Sequence, residues 1–212
     1  MVLSALVLAT LCAATPTIDD TTKSLEARTV AKVLESKKLW RHIGDRDEWT
    51  PGIWNYFLDD LSDTSHVSKP ELRVGDDLLW RTEKLLIDGD LRAGVIRRGH
   101  WQWKGEGGTN FTIIVRVFGD ETRAKKQQEN QIEVVKMMGG ASTTKRGITI
   151  AAFPETTFAF AGTLHVEVSH LGKFDGKLAK IAAAFVTTYQ KEWKVVQKEA
   201  KKEESAAAGD ER

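Results

Sequence analysis

Cysteine is almost absent from the chain of 212 residues, because Cys12 is the only one. A disulfide requires a second cysteine. Cys12 also lies in a segment that we expect to be removed, as argued below, so the mature protein would contain no thiol. Disulfides, thiolate nucleophiles and cysteine metal sites are therefore excluded from its predicted chemistry.

The chain also lacks an excess of charge of either sign and lacks a long apolar run. Lys and Arg together number 31 and Asp and Glu number 30, so the net charge is +1. Nucleic-acid binders need clustered basic residues, which this balance does not predict. A transmembrane helix needs roughly 20 apolar residues, more than any stretch here supplies. We predict neither a nucleic-acid partner nor a transmembrane helix.

Familiar catalytic signatures are missing as well. The sequence has no Gly-x-Ser-x-Gly elbow, no phosphate-binding loop, no dinucleotide-binding glycine pattern and no His-Glu-x-x-His. The glycine-rich run 105–108 lies between two predicted strands, so it predicts a hairpin turn. We therefore predict no cofactor and favour a protein that is not an enzyme.

The N-terminus resembles an export signal in its composition. Residues 1–18 carry no charged side chain, and residues 2–14 form a short, mostly apolar run. The small side chain of Ala14, with Cys12 two residues before it, favours cleavage after Ala14. We expect residues 1–14 to be a signal peptide and the protein to be secreted, periplasmic or in the cell envelope. The missing positive charge at the start and Cys12 leave open a lipidated or retained anchor, or a buried helix.

Residues 15–92 are predicted to form a mainly helical section. Apolar residues recur at helical spacing over 22–43 and again, over a shorter stretch, after Thr50. The stretch 78–87 fits either a helix or a strand.

Residues 93–198 predict an α+β domain. Alternation after Ala93 indicates a strand to Lys104, and further strands are expected at 111–118, 148–153, 157–160 and 164–169. Helices are expected at 120–138 and 176–198. We predict an antiparallel or mixed sheet of about five strands with two helices on one face. Residues 199–212 form a charged, alanine-rich tail that we expect to be disordered.

Two of the seven tryptophans are candidate ligand-binding residues. Trp101 and Trp103 are two residues apart on a predicted strand, on one face with Val95 and Arg97. Such a pair can bind an apolar ligand or stack on a sugar or base, and it can equally cover the core. Arg97 favours a surface position for this face, because a buried arginine needs a partner. We take Trp101, Trp103 and Arg97 as the candidate binding residues.

A second strand carries the only pattern that suggests catalysis. His165, Glu167 and Ser169 alternate on one face, and a neighbouring strand could add His100. A histidine and a carboxylate two apart can hold a metal or act as an acid–base pair. A solvated polar face explains the alternation equally well. We predict no metal site, and the residues such a site would use are His165, Glu167 and His100. Asn110 begins a glycosylation sequon.

The sequence therefore predicts an exported, non-enzymatic domain that binds a protein, a lipid or a small ligand. One alternative is a metal-assisted or acid–base hydrolase that uses His165 and Glu167. The other is an envelope protein whose N-terminal helices or charged tail dock to a partner.

Overall fold

The computed structural model of the protein describes residues 24–65, 67, 76–174 and 176–210. The predicted signal segment and Cys12 lie outside these residues. Within them, seven strands form one antiparallel sheet in the order β1-β2-β3-β7-β6-β5-β4. The strands are β1 (Thr50–Leu58), β2 (Val95–Lys104), β3 (Asn110–Phe118), β4 (Ala141–Lys145), β5 (Ile148–Phe153), β6 (Thr156–Ala161) and β7 (Leu164–Leu171).

Five helices in the described residues cover this sheet: α1 (Leu25–Glu35), α2 (Lys37–Ile43), α3 (Asp76–Ala93), α4 (Glu121–Met137) and α5 (Leu178–Asp210). None of them is long and apolar enough to cross a membrane. The predicted α+β class is confirmed, but the sheet has seven strands instead of about five.

The helices lie on both faces of the sheet, which corrects the prediction of two helices on one face. Helices α1, α2 and α5 share a core with alternate residues of β3, such as Phe111 and Ile113. On the opposite face, Ile87 of α3 and Ala124 of α4 pack with Phe118. The strand β3 is therefore apolar on both sides because each side faces helices.

The segment after Thr50 is a strand, although we predicted a short helix there. Its residues Ile53, Trp54, Phe57 and Leu58 are spaced in a way that suits a helix. However, Trp54, Tyr56 and Leu58 are buried at a period of two, and Asn55 to Leu58 pair in register with β2. Aromatic residues favour such a half-buried pleated surface, and pairing with β2 decides the outcome.

Three further elements differ from expectation, and one ambiguous stretch is decided. The predicted helix over 22–43 is divided at Ser36, whose hydroxyl accepts a hydrogen bond from the N–H of Lys38 and begins α2. The ambiguous stretch 78–87 lies inside α3, and the polar strand β4 was not predicted. Helix α5 continues through the expected disordered tail to Asp210.

Ion pairs with α1 hold residues 199–203 of α5 against the rest of the protein. Glu199 accepts a hydrogen bond from Lys32 at 2.7 Å, and Glu203 pairs with Arg28 at 2.9 Å. Alanine, glutamate and lysine, which dominate this segment, also have high helix propensity. Composition alone suggested disorder because it does not show these partners.

Candidate functional site

A groove of about 640 Å³ lies between α1 and the edge of the sheet formed by β1 and β2. We call it the α1–β1 groove. One wall is the small and apolar side of α1, with Ala27, Ala31 and Leu34, and the other is made by β1 and β2. Ligand sites commonly enclose about 300–1,000 Å³, so the groove has the size of a binding site.

The candidate pair Trp101 and Trp103 forms the aromatic wall of this groove together with Phe57. All three side chains are half-buried and pack against the main core. Phe57 stacks on Trp101 with ring centroids 6.2 Å apart, and Trp103 meets Trp40 edge-on at 5.5 Å. The two tryptophans thus close the core on one side and line a cavity on the other.

Gly99 allows the ring of Trp101 to lie flat against β2. A β-carbon added at Gly99 would lie 2.1 Å from Cη2 of Trp101 and 2.9 Å from Cδ2 of Phe57. Any larger residue would therefore displace the aromatic wall. A glycine two residues before an aromatic residue on a strand is a signal that sequence reasoning could have used.

The rim of the groove is acidic. Glu35, Asp59, Asp60 and Asp63 line it, and Arg46 is the one basic residue among its lining side chains in the described part of the chain. The guanidinium of Arg46 also lies 5.6 Å from the ring centroid of Trp40. An apolar wall with a net negative rim suits a ligand that has an apolar body and a positive charge.

Two of the rim carboxylates are held by local contacts. The hydroxyl of Ser62 donates to Asp60 Oδ1 at 2.7 Å, which holds the pKa of Asp60 below its usual range. Asp59 lies 3.4 Å from Nε of Arg97 and accepts from the backbone N–H of Ser24. These contacts fix the positions of both carboxylates at the rim.

Arg97, the third candidate binding residue, is not among the residues that line the groove. It pairs with Glu26 at 3.1 Å as well as with Asp59, so it joins the start of α1 to the end of β1. Val95 does not share its face, contrary to our expectation. The register shifts between Val95 and Arg97, and this bulge turns Val95 to the opposite side, where it packs near Phe118.

A buried ion-pair network lies on the opposite face of the sheet, beneath α3. Arg98 is fully buried and donates to Glu83 at 2.6 Å and to Asp90 at 2.8 Å. Tyr56 accepts from Arg98 and donates to Glu83, and Nδ1 of His100 lies 2.8 Å from the same carboxylate. Burial lowers the pKa of Arg98 to about 9. These contacts attach α3 to the sheet.

The candidate residues of β7 belong to the same face, where they lie among ion pairs and aromatic rings. Glu167 pairs with Arg116 at 2.8 Å, and Arg116 also pairs with Asp90. His165 is enclosed by the rings of Phe118 and Phe160, whose centroids lie 4.5 and 4.7 Å away. Burial, with a smaller effect of Arg116, lowers the pKa of His165 to about 3.

The interpretation of this face as solvated is wrong, because α3 and α4 cover it and His165 is buried. The third candidate, His100, lies on β2 and contacts Glu83, while β3 separates it from Glu167. Among the described residues no group of three or more metal-ligating side chains converges. The sequence signal for the network was the spacing of Glu83, Ile87 and Asp90, which places them on one face of a helix.

A second cavity of about 560 Å³ lies where α2, the β2–β3 turn and the segment after β7 meet. Its lining includes Arg41 and Lys173 but also Glu48 and Glu106. Burial and the neighbouring cations Arg41 and Lys180 lower the pKa of His42, which lines it too. Because both signs are present, this cavity shows no preference for a ligand of one charge.

Comparisons of the chain with protein-family models, with curated proteins and with solved structures found no significant match. The function must therefore be inferred from the geometry and charge of the α1–β1 groove.

Proposed function

We propose that the protein is an exported, non-enzymatic binding domain whose α1–β1 groove takes a ligand with an apolar body and a positive charge. The observation that carries this proposal is the position of Trp101 and Trp103, which line a groove of about 640 Å³. Export is inferred from the N-terminal sequence alone.

The charges of the groove support a cationic ligand. Carboxylates at Asp59, Asp60 and Asp63 lie at one end of it, and Glu35 lies on α1. A cation near the face of an indole ring gains about 0.5–1 kcal/mol at an exposed site and more when water is excluded. An apolar body against Trp101 would add the burial of its surface, at about 25 cal/mol per Å².

The two alternatives have less support. A hydrolase that uses His165 and Glu167 would need both groups accessible, but Arg116 engages Glu167 and two phenylalanine rings enclose His165. For docking of the N-terminal helices or the charged tail to a partner, we note that α1 and the start of the tail already pair with each other, through Lys32 with Glu199 and Arg28 with Glu203.

Three probes of similar size and different charge test the proposal: phenylbutylamine, phenylbutanol and phenylbutyrate. Binding is followed by tryptophan fluorescence. We expect the amine to bind most tightly and the carboxylate least tightly, because the rim is acidic. Equal affinities for amine and carboxylate, or no binding of the amine, would overturn the proposal.

Two tryptophan variants locate the binding. Trp101→Leu removes one of the three rings of the aromatic wall, and we expect it to weaken the binding of the amine by about tenfold or more, the loss of a contact worth about 1.4 kcal/mol. Trp80→Leu is the matched control, because Trp80 belongs to α3 and packs near Trp54 on the other face of the sheet. Equal losses in both variants would show that the amine binds elsewhere.

A further inference from the structure

Helix α3 buries charged side chains and exposes leucines, which is the reverse of an ordinary surface helix. Its side towards the sheet carries Glu83, which is buried, and Asp90, which pairs with Arg98. Its outer side exposes Leu78 at 70% and Leu85 at 67%. Apolar surface that is contiguous and exposed marks an interaction site.

The outer residues of α3 repeat with a period of seven. Two adjacent leucines occur at 78–79 and again at 85–86, and a small residue follows each pair at 82 and 89. We call this set the α3 stripe: Leu78, Leu79, Thr82, Leu85, Leu86 and Gly89. A repeat of seven residues is the pattern of a seam between two packed helices. The α3 stripe therefore fits a helix as its partner.

The two small residues form recesses in the α3 stripe. A β-carbon added at Gly89 would meet no atom within 4 Å, so the fold of one chain does not require glycine there. Glycine is also unfavourable within a helix, but it leaves room for a facing side chain. The hydroxyl of Thr82 donates to the carbonyl of Leu78 at 2.8 Å, so it needs no further partner in an apolar contact.

A second copy of α3, in the antiparallel orientation, complements these recesses. When the two-fold axis passes between Glu83 and Lys84, Leu78 faces Gly89 of the second copy and Thr82 faces Leu85. Each layer of the contact then joins a leucine with a small residue. A parallel pair would place Gly89 on Gly89 and leave a gap, which apolar contacts do not favour.

The flanks of the α3 stripe are self-complementary in the same orientation. On one flank the exposed Arg81 lies level with Asp88 of the second copy, so opposite charges meet. On the other flank Leu79 lies level with Leu86. The two-fold axis repeats both contacts, as in any isologous interface. A membrane surface would use basic residues on this flank but gains nothing from Asp88.

We propose that two copies of the chain associate through an antiparallel contact of their α3 stripes. A helix of 18 residues covers a strip about 27 Å long and about 10 Å wide. This area is smaller than the roughly 800 Å² per partner of a standard interface, so the dimer dissociates on dilution. The contact uses none of the residues that line the α1–β1 groove, and it is independent of the function proposed for the groove.

Sedimentation velocity of the full chain, from about 1 µM to about 500 µM, measures this association. We expect monomers at the low end and dimers at the high end. Leu85→Glu places a charge in the centre of the contact and should weaken the dimer by about tenfold or more. Leu171→Glu is the matched control, because Leu171 is 64% exposed at the end of β7 and lies outside α3. It should leave the association unchanged.

Gly89→Leu separates a second copy from other occupants of the α3 stripe. Leucine favours a helix more than glycine does, so the monomer should be at least as stable to urea at low concentration. The dimer should be about tenfold or more weaker, because Leu78 of the second copy loses its recess. A membrane surface would instead gain from the added apolar side chain.

Three results would overturn the proposal: a chain that stays monomeric at about 500 µM, a dimer that Leu85→Glu does not weaken, and a tighter dimer of Gly89→Leu. Binding of such a monomer to phosphatidylglycerol vesicles, lost in Leu85→Glu, would show that a membrane covers the α3 stripe. Destabilisation of the monomer by Leu85→Glu at every concentration would show that another segment of the same chain covers it.

Discussion

Replacement of Glu83 by glutamine should destabilise the protein strongly, because this carboxylate neutralises a cation that has no access to water. Glu83 contacts Arg98 at 2.6 Å, and the side chain of Arg98 is 0% exposed. Glu83→Gln keeps the size of the side chain but removes its charge. Arg98 then depends on Asp90, which Arg116 also uses.

The magnitude follows from the cost of leaving a charge buried without its partner. Breaking a buried ion pair typically costs about 3–5 kcal/mol. Asp90 remains as a partial partner for Arg98, so we expect a loss of about 3 kcal/mol in the free energy of unfolding. The double variant Glu83→Leu with Arg98→Met removes both charges, and we expect it to be at least as stable as Glu83→Leu alone.

Urea denaturation followed by far-ultraviolet circular dichroism measures these free energies of unfolding. The comparison requires that the free energy of unfolding falls with urea concentration at the same slope in each variant as in the unaltered protein. Glu129→Gln, at an exposed position of α4, is the control and should change stability little. A loss below about 1 kcal/mol for Glu83→Gln, or a double variant whose loss equals the sum of the single losses, would refute the reasoning.

Three further predictions concern separate parts of the molecule. Because the folded protein holds the pKa of His165 near 3 and the ordinary value is 6.5, the unfolded chain binds more protons between these values. The free energy of unfolding measured in denaturant titrations should therefore fall by about 2 kcal/mol from pH 7.5 to pH 5 through His165. In the His165→Phe variant, this contribution of about 2 kcal/mol to the pH dependence should be absent. Gly99→Ala should displace the ring of Trp101, change its fluorescence and weaken phenylbutylamine binding; unchanged emission and affinity would contradict the described packing. Glu203→Gln should increase amide exchange in the last turns of α5, because it removes the pair with Arg28, and high salt should produce the same increase in the unaltered protein.

The sequence allowed the prediction of elements whose pattern has only one reading. The alternation along β2 and the two-sided apolar run of β3 indicate strands, and the Asp120 cap with following glycines indicates α4. The candidate pair Trp101 and Trp103 followed from that alternation. Its position beside a groove depends on α1, which no local pattern in β2 reveals.

The remaining features depend on partners that lie far away in the chain. The apolar spacing in residues 53–58 suits a helix or a strand, and only the pairing with β2 distinguishes them. Glu83 and Asp90 resemble ordinary exposed charges of a helix. Glu83 is buried and Asp90 is partly buried because Arg98 and Arg116 come from two strands of the sheet beneath α3. The same lack of visible partners made the end of α5 look disordered.

The most direct test of the groove is a fluorescence titration of the full chain with phenylbutylamine and phenylbutyrate, repeated with Trp101→Leu and Trp80→Leu. We predict that the amine binds more tightly than the carboxylate. We also predict that Trp101→Leu weakens the binding of the amine by about tenfold or more, whereas Trp80→Leu does not. Equal binding of the two probes, or equal losses in the two variants, would contradict a cation-selective site at the α1–β1 groove.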